Sequence, residues 1–364
     1  MKPAAAIAQI RLLCAQALPG EAVVPHVLRA LRSVIRCRTA VFFWVDATGG
    51  IPHIHWDEEI TAAMVCRFGT EYLNRGPGPI GIGFARSVRL FQGVRVLPDW
   101  GEDFYKTDFY EAMWRPMGAH HALQASIRER GSSPMLGSLL LYRDEREPAF
   151  DDEEHALLAR IVPYLGFALG SKPQPVGEYV DTGDEALLVT DLQGRVLQSC
   201  ERSSALLIAA IQPRLPTGAP LTRLEAEWTH WLATLGERLQ RYSRHESDAP
   251  PVLRCDNARG RFTFRARWLH DHEGGEPRVG VTIRREEPLA LRLALGMRDT
   301  ALSPTQQRVA LLVALGHSQT EIARRLDVRP NTVKDHVQAV YDKLEVHERM
   351  ALRERLLGRD RTDG

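Results

Sequence analysis

Between Leu302 and Leu344 the apolar residues fall into three blocks at helical spacing, each opened by a helix-starting residue and closed by a turn. Ser303 is a good N-cap, and Pro304 sits at the first helical position, where its missing N–H costs nothing. The first block carries Val309, Leu312, Val313 and Leu315 and stops at Gly316. Ser318 caps a shorter helix that buries Ile322, Ala323 and Leu326. Asp327, Val328 and Arg329 form a brief turn, and Pro330 starts a third helix. Helix, tight turn, helix is the sequence form of a helix-turn-helix.

The third helix has two faces. Val333, Val337, Val340 and Leu344 must pack inward, while Asn331, Lys334, Asp335, Gln338 and Asp342 recur on the opposite side. A polar face of this kind on the second helix of the motif enters the major groove. There Asn and Gln pair with adenine, Asp accepts from cytosine N4, and Lys reaches guanine or phosphate. Periodicity by itself serves equally well for an ordinary solvated face on a small bundle.

The segment Leu302–Leu352 resembles the LuxR-type, or GerE-like, helix-turn-helix family. The matching elements are Leu302-Ser303-Pro304, Ala314 with Gly316, Glu321-Ile322-Ala323, Leu326, Thr332-Val333-Lys334, His336, Lys343-Leu344, Val346 and Arg349. The resemblance implies an all-α domain of four helices. It implies that Lys334 through Gln338 face DNA, with Thr332, His336 and Ser318 near phosphates, and that a fourth helix, Glu348–Leu357, pairs two protomers on a dyad-symmetric site. The candidate DNA-binding set is Ser318, Gln319, Arg329, Asn331, Thr332, Lys334, Asp335, His336 and Gln338.

Three positions depart from the family pattern: Gln307 for Glu, Gln319 for Asn, and Arg329 for a capping Ser. Arg329 cannot cap by accepting a hydrogen bond, so it leaves the helix start looser or touches phosphate instead. Asp335 puts a negative charge in the reading face, which repels phosphate unless it contacts a cytosine.

Charge is consistent with a local DNA patch only. The 47 basic and 46 acidic side chains of the 364 residues leave a formal net charge of +1. Cys14, Cys37, Cys66, Cys200 and Cys255 are scattered with no CxxC pair, which argues against a disulfide framework or zinc site and fits a reducing cytoplasm. Arg11 interrupts the apolar start, so no signal peptide is expected, and no run reaches the roughly 18 apolar residues of a membrane span.

Ahead of the helical tail the pattern is α+β. Residues 4–17 and 21–36 are amphipathic helices, Ala40–Val45 is a buried strand, and Ile51–Trp56 is a second. Helical spacing returns at Ile60, Met64, Phe68 and Tyr72, and Gly76–Gly83 is a loop without a phosphate-binding ending. Ala122–Glu129 and Gly137–Arg143 read as paired strands, and Phe150-Asp151-Asp152-Glu153-Glu154 opens a helix with acids at its positive end.

Ser171–Glu178 is a linker. Beyond it, Ala186–Thr190, a turn at Asp191–Gly194, Arg195–Gln198, the alternating Arg261–Trp268 and Arg278–Ile283 outline a second sheet that ends at Pro288. Leu289, Leu291, Leu293 and Leu295 lie in a connector helix. Phe150–Glu153 with Leu157-Leu158 and Pro163-Tyr164-Leu165 is similar to the closing helix of a GAF-like domain. Leu188–Asp191 with Gly194-Arg195-Val196 resembles the start of a PAS-like domain. The expected architecture is therefore multidomain. It comprises a GAF-like α+β sensor over 1–170, a linker over 171–178, a PAS-like α+β domain over 179–288, a connector over 289–301, and the four-helix LuxR-type domain over 302–358.

Trp100, Phe104, Tyr105, Phe109, Tyr110 and Trp114 crowd into one short stretch of a chain that is only 7% aromatic. Trp100, Tyr105, Phe109 and Trp114 are the candidate ligand-binding residues, with Asp103 and Asp108 as polar handles; a locally aromatic core or an interface patch is the competing reading. His53 and His55, His120 and His121, and His270 and His272 lack further ligands at metal spacing and read as scattered surface histidines. Cys66 and Cys200 lack a basic neighbourhood that would make them redox sensors, although Arg67 and Arg202 are near in sequence. No catalytic constellation can be assembled, and no metal or cofactor is expected. The chain reads as a cytoplasmic, dimeric, ligand-responsive regulator with double-stranded DNA as its partner and RNA polymerase as a further candidate. The alternative is a regulator gated by a protein partner and without a small-molecule ligand.

Overall fold

The computed structural model describes residues 3–47, 50–56, 67–72, 92–97, 101–129, 133–172, 176–211, 221–270 and 277–358. Its front module is a five-stranded antiparallel sheet of β1 (Thr39–Trp44), β2 (Ile54–Trp56), β3 (Val94–Val96), β4 (His121–Arg128) and β5 (Met135–Arg143), in the order β2-β1-β5-β4-β3. Helices α1 (Pro3–Cys14), α2 (Gly20–Arg32) and α3 (Asp152–Gly170) layer one face. The acids that open α3 form a capping box: Asp151 Oδ1 accepts from the Glu154 amide at 2.8 Å, and Glu154 accepts from the Asp151 amide at 3.2 Å.

The apolar run in β1 has a direct cause. Ala40, Phe42 and Trp44 join the helical core, whereas Val41 and Phe43 join a second core of aromatic side chains on the other face. A strand buried on both faces loses the alternation of a half-exposed one. Short helical turns at Phe68–Tyr72, Glu102–Tyr105 and Tyr110–Trp114 supply that second core.

The second module repeats the strand order. β6 (Tyr179–Thr190), β7 (Val196–Ser199), β8 (Val252–Asn257), β9 (Gly260–Leu269) and β10 (Arg278–Pro288) lie in the order β7-β6-β10-β9-β8. Two helices, α4 (Glu201–Ile211) and α5 (Leu221–Ser243), place Leu206, Leu207, Leu232 and Leu235 against Phe262, Phe264, Val281 and Ile283. Neither helix nor β8 was part of the sequence expectation. Both central strands are also longer than expected: Tyr179–Glu185 and Arg284–Pro288 continue the ladder without an apolar stripe, with Arg284 opposite Glu185 but Glu286 opposite Asp181. Arg284 Nε lies 3.6 Å from the Glu185 carboxylate across this extension.

Five helices complete the chain: α6 (Leu289–Gly296), α7 (Pro304–Ala314), α8 (Gln319–Leu326), α9 (Pro330–Leu344) and α10 (Arg349–Gly358). The connector α6 is a packed element rather than a spacer. Leu289, Leu291, Leu293 and Ala294 are buried in one continuous core with α1 of the front module and with the interior of the helical tail. Arg353 of α10 also pairs with Glu178, once at 3.1 Å and again more closely.

Gly296 permits the α6–α10 approach, since a Cβ there would overlap the Leu356 carbonyl. Gly296→Ala should therefore cost about 1–3 kcal/mol through overpacking and lower the thermal midpoint. Gly358→Ala, facing open space, should change stability by no more than about 0.5 kcal/mol. Equal midpoints for the two variants in a denaturation scan would refute the close-packing argument.

Candidate nucleic-acid interface and sensor cavity

The helix pair is built as its sequence requires. Ser303 caps α7 in a capping box with Gln306, and Ser318 caps α8 in one with Glu321. The Ser318 hydroxyl donates to Glu321 Oε2 at 2.9 Å and accepts from the Glu321 amide at 3.3 Å. Its single proton is thereby committed to the cap. Hydrogen bonds from the Ser318 backbone and side chain hold the Glu321 carboxyl below its ordinary pKa. Asp327 ends α8 in the left-handed region at φ 56°, which turns the chain sharply into α9.

On α9, Val333, Val340 and Leu344 are buried, while Asn331, Thr332, Lys334, Asp335 and Gln338 are exposed and His336 is half-buried. Five of the nine predicted DNA-binding residues thus share the open side of one helix. Gln319 lies exposed in the first turn of α8. Arg329 occupies the N-cap of α9 in an extended conformation with no side-chain cap bond, and Pro330 follows at the first position. The exposed Arg329 guanidinium is therefore available to an anion at that helix end. Gln338 Nε2 donates to Asp342 Oδ1 at 2.8 Å, which orients the amide along the reading face. Lys343, by contrast, reaches the Ala301 carbonyl at 3.2 Å and Gln306 Oε1 at 2.9 Å. It braces the start of α7.

The aromatic segment divides. Phe109 and Trp114 line an apolar cavity of about 40 Å³ together with Phe43, Phe68, Met113 and Tyr142. Tyr105 stacks instead on His120, with ring centroids 4.7 Å apart. Trp100, Cys66, His272 and the Gly76–Gly83 loop lie outside the described residues. Asp108 accepts from the Tyr72 hydroxyl and lies 3.5 Å from Arg67.

The reading of His53, His55 and His120 as scattered surface histidines is corrected. His120 Nδ1 is buried, and His53, just before β2, and His55, on it, lie near Arg259 of the β8–β9 turn, where the two α+β modules meet. Desolvation first, then Arg259, His26 and Arg29, lowers the His55 pKa to about 3. Desolvation also lowers that of His53. Burial and then Arg285 lower the Arg259 pKa to about 10. Cys200 is exposed, and its pKa is lowered by the Ser203 hydroxyl and by backbone N–H groups, among them that of Arg202, rather than by the Arg202 guanidinium, which pairs with Asp184. Among the described residues no three His, Cys, Asp or Glu side chains converge as a metal-ligand set.

The sequence reading missed Glu287, at the corner where β10 becomes α6. It is 2% exposed, with Arg285 at 2.8 Å, His26 at 3.7 Å and Arg292 at 3.7 Å. Burial would raise its pKa, but His26, Arg285 and Arg292 outweigh burial and hold it at about 2. Its burial and its contact with the distant His26 mark it, since a single Glu between arginines in a charged stretch carries no local signal.

Residues 300–354 match the family described as bacterial regulatory proteins, luxR family. No curated protein sequence matches the chain. Among solved structures, a far-red cyanobacteriochrome photoreceptor shares 13% identity over 44% of this chain and 90% of its own, with a TM-score of 0.31. The Vibrio cholerae VqmA–ligand–DNA complex shares 16% over 49% and 83%, with a TM-score of 0.22. The Escherichia coli DhaR(N)–DhaL complex shares 11% over 78% and 90%, with a TM-score of 0.25.

Two outcomes follow from this geometry. Lys334→Ala should weaken DNA binding across sequences and reduce the slope of log affinity against log salt by about 1; an unchanged salt titration would remove Lys334 from the interface. Acid should loosen the fold. The unfolded chain protonates His55 near 6.5 whereas the folded chain resists until about 3, so this stability is lost as pH falls below about 6.5. The Glu287 contribution is lost from about 4.5 toward about 2. Thermal midpoints should drop between pH 7 and pH 5, and His55→Asn should flatten that drop.

Proposed function

We propose that this DNA-binding transcription regulator, whose residues 300–354 are a luxR-family domain, acts as a homodimer on dyad-symmetric DNA and responds to a small organic ligand. The observation that carries the DNA assignment is the exposed face of α9, Asn331, Lys334, Asp335 and Gln338, above the buried Val333, Val340 and Leu344. Gln338 and Asn331 read adenine, Asp335 accepts from a cytosine amino group, and Lys334 reaches guanine or phosphate. Arg329, Thr332 and His336 serve the backbone, as does Gln319 at the positive end of α8, where Ser318 acts as the cap and not as a phosphate donor. Dimerisation is supported by α10, which buries Leu352 and Leu356 against the rest of the chain and leaves Met350 49% exposed. The protein is non-catalytic and works in the cytoplasm with RNA polymerase as its effector partner. No helix among the described residues is long and apolar enough to cross a membrane.

Ligand response is assigned to the aromatic cavity lined by Phe109 and Trp114, with Trp100 and Tyr105 as further candidates. One observation favours the second reading, a regulator gated by a protein partner: about 40 Å³ is far below the several hundred Å³ of an ordinary organic-ligand pocket.

Binding-site selection with the full chain, followed by sedimentation of the complex, tests the proposal. Recovered sites should be inverted repeats bound by two chains, and single half-sites bound by one chain would overturn the dimer. A metabolite screen should raise the thermal midpoint of the wild type and not that of Trp114→Ala. No stabilising compound in a broad screen would favour the partner-gated reading.

A further inference from the structure

A cleft of about 780 Å³ lies apart from the aromatic cavity, between the front module and the DNA-binding domain. One wall is the end of α1 and the turn after it, with Leu12 and Leu18. The other is formed by α7 and α8, with Leu312, Leu315 and Leu326, and the β10–α6 corner closes it below. These last three leucines are only half-buried, so the apolar wall faces the cleft. At its edge Ala17 sits at φ 51°, a left-handed conformation that crowds its Cβ against the following carbonyl oxygen.

The polar part of the lining is one-sided in charge. Glu178 is its one carboxylate, and Arg353 already holds it through both oxygens. Arg308 of α7 and Arg325 of α8 line the same space and form no ion pair within 4 Å among the described residues, although Arg325 also feels the Glu321 carboxylate on its own helix. Two guanidinium groups without a close ion-pair partner beside a leucine wall match a molecule with an anionic head and a hydrocarbon body.

We propose that this cleft binds a small amphipathic organic anion, its head group on Arg308 and Arg325 and its apolar body against Leu312, Leu315 and Leu326. The volume is that of an ordinary organic-ligand pocket. Because the walls belong to different modules, the occupant binds the docked arrangement better than any undocked one. Linkage then makes it hold the DNA-binding domain against the sensor, and DNA must change its affinity by the same factor in return. His317, between α7 and α8, also lines the cleft, and its pKa is lowered by desolvation first and then by Arg325. It offers the head group one hydrogen bond. The site is independent of the aromatic cavity and of the dimer assignment.

Calorimetric titration of the full chain with decanoate, below its micelle concentration, tests this. One decanoate should bind per chain, with affinity at least tenfold lower in Arg308→Gln/Arg325→Gln and tenfold lower for decanol, the neutral analogue. The double variant without ligand should melt like the wild type, and Trp114→Ala should bind decanoate normally. Equal affinity in the double variant, equal affinity for decanol, or absence of saturable binding would overturn the site. Loss of binding in Trp114→Ala would overturn it too, by moving the anion to the aromatic cavity.

Discussion

One buried carboxylate stands where three parts of the chain meet. Glu287 sits at the corner between the last strand of the second module and the connector helix, almost without solvent contact. A lone carboxylate there would be expensive to desolvate, and it is tolerated only because cations surround it. Its neighbours come from three places: the guanidinium groups of Arg285 from β10 and Arg292 from α6, and the imidazole of His26 from α2 of the front module. Arg285 also donates to the Arg259 carbonyl at 2.7 Å, which binds the β8–β9 turn into the same cluster. Pulling the modules apart would remove His26 and open the carboxylate to water, while Arg285 and Arg292 would stay beside it.

From that corner the chain passes directly into an apolar interface. The leucines of α6 fill the space between α1 and the helical tail, so the DNA-binding domain is seated by hydrophobic burial rather than by charge. The two interfaces answer to different variables. The junction of the α+β modules, with His53, His55, Arg259 and Glu287, weakens in acid. The seat of the DNA-binding domain depends on packing and on whatever occupies the space beside it. Throughout, α9 keeps its valines inward and its polar face outward. The docked domain therefore presents its reading surface to solvent.

How much of this is legible locally varies with the kind of signal. The tail is fully legible because its caps, turn and periodicity all act within a few residues, and Ser303, Ser318 and Pro330 do what their chemistry dictates. β1 is legible as a buried strand, and its burial on both faces explains why Ala40–Val45 is apolar throughout. α5 is harder to see. Leu232, Leu235 and Leu239 carry its stripe amid a mostly polar helix. The extensions of β6 and β10 carry no apolar stripe, and their charged residues face one another without a consistent pairing, Arg284 against Glu185 but Glu286 against Asp181. The aromatic segment shows the limit of composition as a guide. Phe109 and Trp114 share a cavity, while Tyr105, in the same stretch, turns to His120.

By itself the sequence determined that the chain ends in a helix-turn-helix with Lys334, Asp335 and Gln338 on one face, and that α+β modules precede it. Those properties rest on capping, periodicity and strand patterning, which are local. Only the tertiary structure decided that the connector is a packed core element, that Glu287 and His55 lie at a junction between modules, and that Arg308 and Arg325 border a cleft against α1. Each of those depends on residues far apart in the chain being brought together, and burial and Coulomb interactions between distant segments leave no period in the sequence to read.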